Sequence, residues 1–378
     1  SLEQVKIEDA VGRVAGEDVF SGIEMPPFDK SAMDGYALKY SDLKNIPGKL
    51  KCIGLIQAGD IFNKKLQRNE CVKIMTGAPL PPGADSVVMV EDTSRRGNFV
   101  EILKTVKKGG NVCRRGEDLK RRQKVFARGT VISSSHIAVL AAVGRSSLKV
   151  YAQPKVAVLN TGGEIVPVGT KLGRNKIYNS NGPMLAALLK SDKINPWYLG
   201  IAKDKVKDLK AAIRKGLNSD ILLISGGVSM GDFDLVPEVL SSLGVRMIFY
   251  KVRIKPGKPL FYGKKGKTLV FGIPGNPVST FLAYQIFIRP AVYKMLGYEC
   301  SGPVIKSGIA KKRFLIKSDR KQFVLVKIER KQGNDYLTAL SGHGSADILS
   351  LSHADGFMVV SRQIEKGAKV NFITWKKN

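Results

Sequence analysis

VAVLNTGG (156–163), ILLISGG (221–227) and TLVFGIPGN (268–276) each run a short apolar, β-branched stretch straight into a glycine turn. Runs of that length, bounded by turn signals, read as strands buried on both faces, as a parallel sheet requires. Between them, residues 183–190 and 206–217 carry apolar positions at helical spacing, and 278–296 reads as one long, mostly buried helix. Strand, turn and helix therefore repeat from 155 to 296, which predicts an α/β domain built on a parallel sheet.

Outward from this core the pattern changes. Residues 1–150 alternate short strands, such as 70–75 and 86–90, with Pro79, Pro81, Pro82 and many glycines, and predict a β-rich region. Residues 133–143 form a helical pattern with a serine cluster as its cap and Gly144 as its stop. Beyond Gly302 and Pro303, short strands at 323–328, 357–360 and 370–375 predict a small barrel or sandwich.

In an open parallel sheet, ligands bind beyond the carboxyl ends of the strands. Glycine turns let backbone N–H groups approach there, and helix N-termini add positive potential. All three turns lie at such ends. Gly162 and Gly163, then Ser225, Gly226, Gly227 and Ser229, then Gly275, Asn276 and Ser279 make a candidate phosphate or oxyanion cradle. Neither GxGxxG nor GxxxxGK[ST] occurs in them, which argues against a dinucleotide fold and a P-loop. Glu164 follows the first turn, and Asp232 and Asp234 follow the second. Carboxylates beside an anion cradle imply an intervening hard cation, Mg²⁺ by preference; the alternative is that Glu164 and Asp232 only favour the first turns of helices. KPGKP (255–259) presents Lys255 and Lys258 on a stiff Pro/Gly scaffold, and Asn276 reads as the polar cap of the long helix.

Composition bounds the function. Of 378 residues, 62 are Lys or Arg and 32 Asp or Glu, a net charge of +30. The excess is regional: 12 basic against 3 acidic side chains in 101–150, but 6 against 9 in 1–50. The densest cluster, around Arg114, Arg115, Lys120, Arg121 and Arg122, lacks the interleaved aromatics of a base-stacking surface. It reads as a solvated face or an anion-attracting rim and not as a specific nucleic-acid interface. Cys52, Cys71, Cys113 and Cys300 form no CxxC, and the three histidines have no zinc spacing, so buried free thiols are expected. No membrane span is predicted, and the first residues carry no basic-then-apolar stretch, so the expected location is cytoplasmic.

Together PPFDKSAMDGYA (26–37), MTGAPLPPGAD (75–85), RRGED (114–118), SGGVSMGDFD (225–234), KPGKP (255–259), GIPGNPVSTF (272–281) and SGHGSADILSLSHADG (341–356) resemble the molybdopterin molybdotransferase family, known as MoeA in bacteria and as the E domain of gephyrin in animals. The resemblance spans nearly the whole chain. It implies insertion of molybdenum from molybdate into adenylyl-molybdopterin, with Mg²⁺-dependent release of AMP. It also implies four parts: an extended lobe (1–26 and 119–150), an inserted β-rich domain (27–118), an α/β molybdopterin-binding domain (151–298) and a C-terminal β-barrel (299–378).

The family's functional side chains map onto Asp34, Thr76, Asp118, Glu164, Asp204, Asp234, Lys255 and Lys258, with Glu164 and Asp204 as the metal ligands. Where the family usually reads TGDE, this chain has Thr161-Gly162-Gly163-Glu164, so one carboxylate is absent. A homodimer is implied, with the inserted domain of one subunit facing the α/β domain of the other. A molybdopterin adenylyltransferase is implied upstream, and molybdoenzymes or carriers downstream. Three other readings compete: a scaffold of the gephyrin type without turnover, the adenylyltransferase itself, and nucleic-acid binding from charge alone. The adenylyltransferase would not need residues 1–150 or a barrel.

Overall fold

The computed structural model describes residues 1–228, 235–316, 318–342 and 344–376. They divide into two compact units, Leu2–Val150 and Tyr151–Asn378, with Ser1 belonging to the second.

The larger unit is organised by a six-stranded sheet in the order Pro196–Ala202, Val156–Thr161, Ile221–Ser225, Thr268–Ile273, Phe261–Lys265, Arg246–Tyr250. The first four are mutually parallel, three of them the predicted apolar runs and the fourth, Pro196–Ala202, a mostly half-buried edge strand that those runs did not announce. The last two complete it as an antiparallel edge. Val156–Thr161 and Ile221–Ser225 are buried at every position. Successive side chains of a strand point to opposite faces. Val156, Val158, Ile221 and Leu223 accordingly pack with Leu185, Leu189 and Tyr284 in one core, while Ala157, Leu159, Leu222 and Ile224 pack with Leu209, Ile213 and Leu240 in another. Helices Asn181–Ser191, Val206–Gly216 and Val236–Ser242 supply those partners apart from Tyr284, the first two where the periodicity placed them.

The long helix is not continuous. It runs as Pro277–Ala283, a π-helical turn at Tyr284–Ile288, and Arg289–Met295. Pro290 has no N–H for the preceding turn, so the hydrogen-bond ladder must change its step near this point.

Beyond it, Lys321–Lys331, Asn334–Ala339, Ile305–Ala310, Lys369–Thr374 and Gly356–Val360 pair in that order, and the last returns to the first. The choice between barrel and sandwich resolves to a closed five-stranded barrel around Val326, Leu337, Met358, Val360 and Phe372. Ile254–Lys255 adds a short parallel strand to it at Lys321 and Gln322. A second apolar cluster, with Phe281, Phe357, Ile373 and Trp375, joins the start of the long helix to the barrel.

In the smaller unit, Val19–Phe20 pairs antiparallel with Lys124–Phe126, and residues from both flanks, among them Ile7, Val19, Phe126, Leu140 and Val150, share one core. Helix Ser134–Ala142 is capped by Ser133, whose side chain accepts from the His136 N–H while the His136 ring accepts from the Ser133 N–H. His136 is thus a structural residue. Between the flanks lies a six-stranded sheet ordered Ser86–Met89, Gly35–Leu38, Glu70–Ile74, Gly48–Ile56, Phe99–Ile102, Thr93–Arg96. No helix among the described residues is long and apolar enough to cross a membrane. The expectation of uniformly buried thiols fails for two of four: Cys52 and Cys71 are buried, Cys113 is half-buried and Cys300 is exposed.

Candidate active site

A cavity of about 740 Å³ opens beyond the carboxyl ends of Val156–Thr161, Ile221–Ser225 and Thr268–Ile273. Thr161, Gly162 and Glu164 line it from the first turn, residues 225–228 from the second, and residues 274–277 from the third. The turns touch one another. Gly226, at φ +98°, lies so close to the Thr161 carbonyl that a Cβ there would collide with it, and Gly275 would meet Gly226 Cα at 3.9 Å. Only glycine combines that φ with that approach. The Gly226 N–H donates to Ile273 O at 3.1 Å, so this donor serves the fold and not a ligand.

Asp204 enters from the loop after Pro196–Ala202. Its Oδ2 accepts the Gly163 N–H at 2.7 Å, while Lys176 Nζ donates to the Gly163 carbonyl at 2.6 Å. Gly163 is thereby held from both sides. Glu164 lies in a turn leading to the short strand Ile165–Val166, so the alternative that it serves a helix N-terminus does not apply. Glu164 and Asp204 line the same cavity. No group of three or more His, Cys, Asp or Glu able to hold a metal is found among the described residues. Mg²⁺ is typically bound by one or two carboxylates plus substrate phosphates and water, so two cavity carboxylates suit it as a donor set.

Several expected residues stand elsewhere. Pro259 lines the cavity, whereas Lys255 and Lys258 stand on the segment leading to it, and Lys255 is exposed on the strand paired with the barrel. Ser279 is buried beside Gly257, 3.8 Å from the position its Cβ would take, because it faces the KPGKP segment and not the cavity. Asn276 occupies the cap position without capping: its Nδ2 donates to Ser345 Oγ at 2.9 Å. Ser229 and Asp234 lie outside the described residues.

The smaller unit brings two expected residues together. The Thr76 N–H and hydroxyl donate to Asp34 Oδ1 at 2.7 and 2.8 Å. That backbone bond, then the hydroxyl, holds the Asp34 carboxyl below its usual range. Asp118 is placed by a different contact, its N–H on Met25 O at 3.0 Å.

Other lining residues escaped the sequence reading. Asn160, Asn179 and Asn181 stand side by side in the wall: Asn179 Nδ2 donates to Asn160 Oδ1 at 3.2 Å, and Asn181 Nδ2 to Ser225 Oγ at 3.0 Å and Gly275 O at 2.6 Å. The polar stretch YNSNG (178–182), squeezed between a strand and a helix, was the available signal. Two buried atoms here, Thr161 Oγ1 and Asn181 Oδ1, have no hydrogen-bond partner among the described residues. Ala346 and Ile348, from the barrel, complete the lining.

Comparison with known proteins converges on one assignment. Models for the MoeA N-terminal region (domain I and II), a probable molybdopterin binding domain and the MoeA C-terminal region (domain IV) match residues 1–144, 157–294 and 307–375. The molybdopterin molybdenumtransferase of Staphylococcus epidermidis is 30% identical over 99% of this chain and 91% of its own length. That of Bacillus subtilis is 30% identical over 98% and 89%. The solved molybdopterin biosynthesis MoeA protein of Pyrococcus horikoshii superposes with a TM-score of 0.87 at 33% identity, covering 100% of this chain and 95% of its own.

Proposed function

The chain belongs to the MoeA family of molybdopterin molybdenumtransferases, and from that membership we propose that it transfers molybdenum from molybdate to adenylyl-molybdopterin with release of AMP. The observation that carries this reading is the cavity where three glycine turns meet beside Glu164 and Asp204. A pyrophosphate-containing substrate and a tetrahedral oxyanion both carry negative charge, so the site must supply positive potential and backbone donors. Lys255 and Lys258 raise the local concentration of such anions from the KPGKP segment. The glycine turns admit them to backbone distance, and Ser225 presents a hydroxyl whose orientation Asn181 sets. Glu164 and Asp204 are the residues that would hold Mg²⁺, which when bound neutralises charge at the anhydride being cleaved. The absence of an acid at Gly163 leaves two carboxylates for that task. Asp34, Thr76, Asp118, Ser229 and Asp234 belong to the proposed catalytic set by the family resemblance of their sequence motifs.

This reading includes a homodimer, a cytoplasmic location, and the four-part division into 1–26 with 119–150, 27–118, 151–298 and 299–378. An adenylyltransferase supplies the substrate, and molybdoenzymes or carriers take the product. The test is direct. Purified protein incubated with adenylyl-molybdopterin, Mg²⁺ and molybdate releases AMP, and Glu164→Ala slows that release by about a hundredfold while remaining folded. A wild-type protein that binds the substrate and releases no AMP would instead favour the scaffold reading.

A further inference from the structure

We propose that Asn181 is a positioning residue that locks two of the three glycine turns into one rigid wall. The inference rests on the functional reading only for which ligand the wall serves. A single amide nitrogen donates to Ser225 Oγ at 3.0 Å and to Gly275 O at 2.6 Å, acceptors at the ends of two different strands. Asparagine at the start of a helix commonly caps it. That explanation fails here, because Asn181 is already the first residue of Asn181–Ser191 and the Gly182 N–H is taken by Asn179 Oδ1 at 3.0 Å.

The base from which Asn181 reaches is itself fixed. A Cβ on Gly182 would meet Asn160 Oδ1 at 2.6 Å and Asn179 Nδ2 at 2.7 Å, so the helix start is pressed onto the end of Val156–Thr161. The amide orientation follows from the two acceptors, since Asn181 Oδ1 meets no donor among the described residues. Both acceptors lie in the cavity wall, so Asn181 determines how Ser225 and Gly275 are presented, and its replacement should disturb the wall more than the distant barrel.

Two readouts test this. In the unliganded protein, hydrogen exchange of peptides covering 221–228 and 268–277 should quicken about tenfold in Asn181→Ala, the two lost bonds converted to a rate, with barrel peptides unchanged. Binding of AMP, measured by calorimetry, should weaken in Asn181→Ala and in the isosteric Asn181→Asp, whose carboxylate cannot donate. The loss should be less than additive with Ser225→Ala. Unchanged exchange in both turns, or additive losses, would overturn the proposal. Because the exchange readout needs no ligand, a wild-type protein that binds no AMP would count against the functional reading and leave the clamp to be judged by exchange.

Discussion

Thr76 gives Asp34 two hydrogen bonds, and both favour the ionised carboxyl. A carboxyl whose folded pKa lies below its unfolded one stabilises the fold above the unfolded value and loses that contribution as pH falls through the folded value. Asp34 therefore remains a carboxylate throughout the neutral range, and any stability from this pair disappears only in acid below the ordinary carboxyl range. Thr76→Val removes the hydroxyl bond and keeps the backbone one. Carbon-detected NMR titration should show the Asp34 pKa move part of the way back up, and no movement would mean that the hydroxyl does not hold it. The motifs around these residues were legible as rigid, polar turns, but their meeting was not, because residues 34 and 76 come together only when the strands Gly35–Leu38 and Glu70–Ile74 pair. Cysteine burial was misread for a similar reason. Composition treats four thiols alike, whereas burial pushes Cys71 up to about 12 and Cys300 is exposed.

Strands and their glycine turns were the most legible elements, because uninterrupted apolar runs have few other places to go. The antiparallel edge was harder. Met247 and Ile248 of Arg246–Tyr250 are apolar yet solvent-exposed, so their pattern does not report a buried face. The long helix hid its π-turn, which sits where Asp192 gathers Tyr284 OH at 2.7 Å, Tyr293 OH at 2.9 Å and the Arg289 guanidinium at 2.9 Å. Burial pushes the Tyr284 hydroxyl far above its usual range, and the nearby Asp192 carboxylate adds to this. Tyr284→Phe deletes a donor and leaves Asp192 buried with fewer partners. It should destabilise the larger unit by about 1–3 kcal/mol in denaturant titrations. A loss within a few tenths of a kcal/mol would mean that Tyr293 and Arg289 suffice.

Across the chain, the net charge of +30 already sets each acid against a base, so ion pairs leave its size unchanged and decide only which basic side chains are neutralised locally. In the densest cluster Arg114 pairs with Asp29 at 2.8 Å and Lys124 with Asp18 at 2.6 Å, and Arg115 pairs with Glu24. Unpaired basic side chains bind polyanions through counterion release without reading sequence. The protein should bind heparin at low salt and elute by roughly 0.5 M, where charges a few ångströms apart are screened. Retention beyond that, or a preference for one duplex sequence, would revive the nucleic-acid reading. The barrel's place in the molecule was not readable from its strands, since Ala346 and Ile348 reach the cavity from a turn and the start of helix Ile348–His353, which carry no strand signal. Its closure has a consequence for truncation. The segment bearing Lys255 is pinned by Ile254–Lys255 to the barrel's longest strand, so a chain cut at 298 would keep every glycine turn yet set those lysines adrift and leave the mouth of the crevice without its outer lip.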